Sequence, residues 1–150
     1  MSGTKIGEQN ARLAGVQALY QMEIANTSLR AVLADARADH LGVSSDETAC
    51  DDLDLDLFDR IVSGVVEHQE AIDVTLSAHL ASHWRIERLA SVTRAILRLA
   101  IFELQFDWRA DAPLIIDIYV SLTRSFFDDP EPGFVNGLLD QIAKGLRAHA

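Results

Sequence analysis

Residues Ile86 to Leu104 read IERLASVTRAILRLAIFEL. Apolar side chains recur at Ile86, Leu89, Val92, Ile96, Leu99 and Ala100 and continue through Phe102 and Leu104, the i, i+3, i+4, i+7 spacing of a helix and not the alternation of a strand. Toward the end, Leu97, Ile101 and Phe102 widen the stripe until little of the circumference is polar. A helix apolar on nearly every side has to be enclosed by others, so this segment is expected to be the central helix of the fold. The arginines at 85, 88, 94 and 98 lie just before it and within its first two thirds, which marks that half as a candidate contact surface.

Working outward, helical spacing accounts for the remaining apolar residues. Toward the N-terminus, Ala11, Ala14, Ala18, Leu19 and Met22 form one face of a helix from about Glu8 to Asn26, and Leu29, Val32, Leu33 and Ala36 form a shorter one ending near Gly42. Leu57, Phe58, Ile61 and Val65 define a third helix from Leu53, and a fourth is expected over residues 71–81. Beyond the central helix, Asp111 ahead of Pro113 starts a segment lined by Ile115, Ile116, Tyr119, Leu122 and Phe126. The acidic, proline-bearing run 128–133 is read as a break, after which Val135, Leu138, Leu139 and Ile142 face inward on a last helix from Phe134 to about Arg147. The prediction is seven helices, no strand and one all-α domain spanning 1–150, with a flexible N-terminus over 1–7 and an acidic loop over 43–52.

Composition narrows the chemistry. The chain has 150 residues, with 13 Lys and Arg against 23 Asp and Glu, for a formal net charge of −10. Such a balance repels nucleic acid globally and favours a basic partner, so any RNA contact has to be local. One cysteine, Cys50, forms no internal disulfide, and no apolar run reaches the length of a membrane span. A cytoplasmic protein is expected.

Catalytic and metal-binding patterns are absent from the sequence. Its eight glycines form no phosphate-cradling loop, and Ser63-Gly64 lacks the setting of a nucleophile elbow. Asp52, Asp54 and Asp56 alternate as in a calcium loop but lack its turn glycine and terminal glutamate, so they read as an acidic helix start. His79 and His83 stand at i, i+4 without the intervening glutamate of a metalloprotease, and Trp84 reads as a core anchor at the turn between two helices. The expectation is a protein with no metal, no cofactor and no enzymatic activity, working through packing and surface contact.

Three blocks are more specific. Val16-Gln17-Ala18-Leu19-Tyr20, the run Arg94 to Ala100 with Glu103-Leu104, and Phe134-Val135-Asn136-Gly137-Leu138-Leu139-Asp140 together resemble the NusB family of bacterial transcription antitermination factors, in order and spacing over nearly the whole chain. The resemblance implies a compact bundle of two helical subdomains. It further implies pairing with the basic ribosomal protein NusE, joint binding to boxA RNA and entry into an RNA polymerase antitermination complex. RNA contact is implied for Lys5, Arg12, Tyr20, Phe134 and Asn136, and partner contact for Glu87, Arg94, Arg98 and, again, Tyr20. Whether the free protein covers its partner face as a homodimer is left open.

The sequence departs from the family's pattern in three places. Only Lys5 precedes Arg12 where the family has an arginine cluster, Asp117-Ile118 stand for an Asn-Glu pair, and Thr93 stands for an acid. Two alternatives follow: a NusB-like interaction module with weakened RNA binding, or the NusB-like domain of an RNA cytosine methyltransferase.

Overall fold

The structure, a computed structural model, describes residues 5–40, 52–81, 85–107 and 109–148. Six α-helices and one short 3-10 turn make up its regular structure: α1 (Lys5–Ala25), α2 (Leu29–His40), α3 (Leu55–His79), the turn Ile86–Arg88, α4 (Ser91–Gln105), α5 (Ala112–Phe126) and α6 (Glu131–Ala148). The all-α prediction holds, with a helix count close to the seven expected. Most of the expected acidic loop, together with Cys50, His83 and Trp84, lies outside the described residues.

Helix boundaries differ from the sequence reading for identifiable reasons. The third and fourth expected helices run on as α3, two helical segments joined across a kink at His68, whose φ of −109° and ψ of 16° are not helical. Glu67, Gln69 and Glu70 make a polar gap in the apolar pattern, but Glu and Gln are good helix formers and nothing there forces an end. α6 starts at Glu131 and takes in Pro132 and Gly133, which had been read as part of the break. Phe134 N–H donates to Pro130 O at 3.1 Å, so Pro132 sits in the first turn, where its missing N–H costs nothing. At the other end of the chain, Lys5 to Gly7 belong to α1 instead of a flexible terminus.

Helix ends are closed locally. Asn26, at φ 54°, takes the left-handed conformation that ends α1, a position asparagine tolerates. Ser28 Oγ accepts from Ala31 N–H at 3.1 Å to cap α2, and Asp54 Oδ1 accepts from Leu57 N–H at 3.0 Å to cap α3. Asp54 is thus the acidic helix start foreseen from its sequence.

The chain divides into two compact units, Met1–Val66 and Glu67–Ala150. In the first, Ala11, Val16, Ala18, Val32, Leu57, Phe58, Ile61 and Val65 are buried. Asn10 Nδ2 donates to Asp52 O at 2.8 Å and Asp54 N–H to Gly7 O at 3.2 Å, fastening the start of α3 to α1. Arg37 Nη2 donates to Asp59 Oδ2 at 3.1 Å, while Asp59 Oδ1 is buried without a hydrogen-bond partner among the described residues.

In the second unit α4 packs against both α5 and α6, which also pack on each other. The end of α3 joins them: the His68 ring stacks on Phe106 with centroids 4.1 Å apart, and Thr75 Oγ1 donates to Gln105 Oε1 at 2.8 Å. His79 Nδ1–H donates to Thr75 O at 2.9 Å, and a Cβ at Gly145 would stand 3.4 Å from its ring. That histidine is half-buried against α6 and not a plain surface residue.

α4 is enclosed as its sequence demands, with Ile96, Leu97, Leu99, Ala100 and Ile101 fully buried. Thr93, Arg94 and Glu103 on the same helix are buried as well. Tyr119 Oη donates to the Glu103 carboxylate between α4 and α5, and Thr93 Oγ1 donates to Glu131 Oε2 between α4 and α6.

Two predictions follow from the core. Tyr119→Phe removes a donor from a buried carboxylate and is expected to lower unfolding free energy by about 1–3 kcal/mol in urea titrations, with the m-value unchanged. For Asp59, burial raises its pKa above the ordinary 3.8, against the pull of Arg37 and with a further push from Asp56. The native state therefore favours the protonated acid, and that stabilisation is complete below pH 3.8 and disappears as pH rises through the folded pKa. Asp59→Asn should raise the urea midpoint relative to wild type at pH 7, with the difference vanishing below the unfolded-state pKa.

Candidate functional site

The arginines around the central helix divide into two pairs. Arg94, 7% exposed, turns back along α4: its Nη1 donates to Leu89 O at 2.8 Å and Ile86 O at 3.0 Å, and its Nη2 to Ser91 Oγ at 3.3 Å. Burial, with a smaller contribution from neighbouring Arg98, lowers its pKa from the ordinary guanidinium value. Arg98 makes two parallel bonds to Asp73 on α3, Nε to Oδ1 and Nη2 to Oδ2, both at 2.9 Å. Both guanidinium groups expected to meet a partner are thus engaged inside their own unit. A planar fork of donors suits stacked carbonyls and a carboxylate better than any other side chain.

What Arg94 holds in place is the turn Ile86–Arg88. Arg88 N–H donates to Arg85 O at 3.0 Å and Leu89 N–H to Ile86 O at 3.1 Å, while Leu89 is buried. Ala90, at φ −57° and ψ 141°, is extended and separates the turn from α4, so the segment read as one helix from Ile86 is a turn followed by a helix. Apolar spacing survives this break because Ile86 and Leu89 still face inward. Glu87 stays exposed on the turn, available for contact.

The bond from Thr93 to Glu131 brings the first turn of α6 to the same end of the unit. There Val135 is fully buried and Phe134 is 37% exposed, so the adjacent pair splits between core and surface. Asn136 is exposed, and a Cβ at Gly137 would meet nothing within 4 Å, so Gly137 does not serve close helix approach. Further along, a groove of about 400 Å³ between α5 and α6 has Pro113 and Ile116 on one wall and Asn136 on the other, with Asp117 and Asp140 also lining it. Lys144 Nζ is paired with Asp140 at 3.1 Å, which leaves the groove acidic overall.

In the first unit, Lys5 is exposed on α1 and Tyr20 is 41% exposed, a presented ring and not a core residue. Arg12, expected to meet RNA, is 7% exposed and engaged by polar contact. Of the residues that sequence reasoning singled out, Glu87, Phe134 and Asn136 are exposed in the second unit; of the arginines marked together as one candidate contact half, Arg85 and Arg88 are exposed while Arg94 and Arg98 are not. The signal for Arg85 and Arg88 was present as position: each lies on the turn, outside α4. Among the described residues no three His, Cys, Asp or Glu side chains group to hold a metal ion. No described helix is long and apolar enough to cross a membrane.

The described residues thus form an all-helical scaffold that carries exposed aromatic, amide and charged side chains and an acidic groove. In comparison with known proteins, the NusB family model matches residues 9–144, and the chain belongs to the NusB family. It is 44% identical over 142 residues to the transcription antitermination protein NusB of Rhizobium etli strain CIAT 652, covering 93% of this chain and 88% of that one. The structure of T. maritima NusB superimposes with a TM-score of 0.76 at 30% identity, covering 96% of this chain and 93% of that one. A structure described as antitermination factors NusB and NusE in complex with dsRNA has the same fold, with a TM-score of 0.77 at 23% identity over 95% of this chain and 99% of that one.

The turn's dependence on Arg94 is testable. Arg94→Ala is expected to cost about 3 kcal/mol in urea unfolding, because three acceptors lose a charged donor, and to speed tryptic cleavage after Arg85 and Arg88. Arg94→Lys should recover only part of either effect, since an ammonium group lacks the fork geometry.

Proposed function

We propose that this chain is a cytoplasmic transcription antitermination factor, a non-enzymatic adaptor that pairs with NusE and binds boxA RNA within an RNA polymerase antitermination complex. The observation that carries this reading is the acidic groove between α5 and α6 that Asn136 lines, with the exposed Phe134 ring on the same helix. The groove suits a basic protein: Asp117 and Asp140 outnumber the single, already paired Lys144. The exposed rings of Phe134 and Tyr20 suit unstacked RNA bases, which bind proteins by stacking. Antitermination is the function named for the relative with 44% identity.

A second reading, an interaction module with weakened RNA binding, is favoured by one observation. Arg12 is buried, so of the two basic residues expected to meet phosphate on α1 only Lys5 is exposed.

Titration of boxA RNA and a scrambled RNA, with and without NusE at two salt concentrations, separates the two. The antitermination reading predicts tighter binding of boxA when NusE is present, with affinity falling as salt rises. Equal binding of both RNAs in the presence of NusE overturns it. NusE binding with no measurable RNA binding establishes the module reading instead.

A further inference from the structure

We propose that Arg85 and Arg88 form a phosphate-binding pair on the turn that Arg94 holds, supplying to RNA the positive charge that α1 lacks; this rests on the antitermination reading. Both residues are exposed, and neither side chain makes a hydrogen bond or ion pair with a described residue. Among the described side chains of the second unit, Arg94 and Arg98 are committed internally and Arg109 pairs with Asp107, which leaves Arg85 and Arg88, with Arg124 on α5, as its exposed guanidinium groups without a described partner.

The turn's geometry keeps the pair close. Arg88 N–H donates to Arg85 O across the turn, of which Arg85 is the extended N-cap and Arg88 the last residue, so the two arginines stand three residues apart at its two ends. The backbone beneath them is held in two ways, by the buried Leu89 and by the bonds from Arg94 to Ile86 O and Leu89 O. The pair is thus carried by a fixed support, so that only the side chains and not the backbone have to be ordered on binding.

An anionic polymer is the occupant that the surroundings select. Two adjacent guanidinium groups suit consecutive phosphates, and the exposed Phe134 ring lies toward the same end of the unit, through Thr93 and Glu131, where a base from the same strand could stack. Glu131, the acid that links α6 to this end, has its carboxylate engaged by Thr93. Charge and ring together favour a single strand of RNA over an acidic peptide, which would use the arginines and leave the ring idle.

The test uses the full-length protein and the RNA and NusE of the titration above. Relative to wild type, Arg85→Ala with Arg88→Ala should weaken RNA binding roughly tenfold at low salt and reduce the slope of log affinity against log salt by about 1.4, the value for two single-strand phosphate contacts. Circular dichroism and NusE affinity should be unchanged, and Arg85→Lys with Arg88→Lys should keep most of the slope. If wild type binds boxA and the alanine variant matches it in affinity and slope, the pair does not meet phosphate and the antitermination reading stands. If wild type shows no boxA preference with NusE, both fall. Loss of NusE binding with RNA binding intact assigns the pair to the protein partner and overturns the proposal.

Discussion

Everything in the second unit depends on the enclosure of α4. Eleven of its fifteen residues are buried, and three of those, Thr93, Arg94 and Glu103, are polar or charged. A buried polar group without a partner costs several times what the same group contributes when bonded, so each of these side chains fixes another element relative to α4. Glu103 accepts from Tyr119 on α5, Thr93 donates to Glu131 on α6, and Arg94 closes the turn that precedes the helix. Apolar contact brings the helices together without choosing a register. The three polar bonds choose it.

The same constraint sorts the arginines. A charge on the inner side of α4 has to be satisfied internally, and Arg94 and Arg98 find carbonyls and a carboxylate there. Arg85 and Arg88, placed before the extended Ala90, escape the burial that α4 imposes. The exposed arginines therefore lie on the turn ahead of the central helix and not along the helix. A structural arginine holds the backbone from which two others are displayed, and this division of labour gives the exposed pair a rigid base.

Sequence reading went furthest where periodicity is strong. The inward residues of α4, α5 and α6 were legible because a buried face repeats at 3.6 residues regardless of what it packs against: Ile96, Leu99, Ile115, Tyr119, Val135 and Ile142 are all buried. Boundaries were less legible. The bend at His68 leaves the pattern on either side intact, and Pro132 reads as a break although the first turn of a helix accepts it. Among the site residues implied by the family's motifs, Glu87, Phe134 and Asn136 are exposed, while Arg12 and Arg94 are buried and Arg98 half-buried. Charge marks a residue as costly to bury. It does not tell whether the fold provides the partners that make burial tolerable.

The sequence by itself determined the class of fold, the central place of the segment ending at Leu104, the acidic balance and, through three motif blocks, the family. Each of these rests on local spacing or on sums over the chain, which need no knowledge of neighbours. Only the tertiary structure decided which of two adjacent residues faces out, as with Phe134 and Val135, and which arginines are spent on holding the molecule together. Those outcomes depend on carbonyls and carboxylates brought close by packing: Leu89 O for Arg94, and Asp73, 25 positions away in the chain, for Arg98. A side chain's function is settled by what stands next to it, and for long polar side chains that neighbour is chosen by the fold.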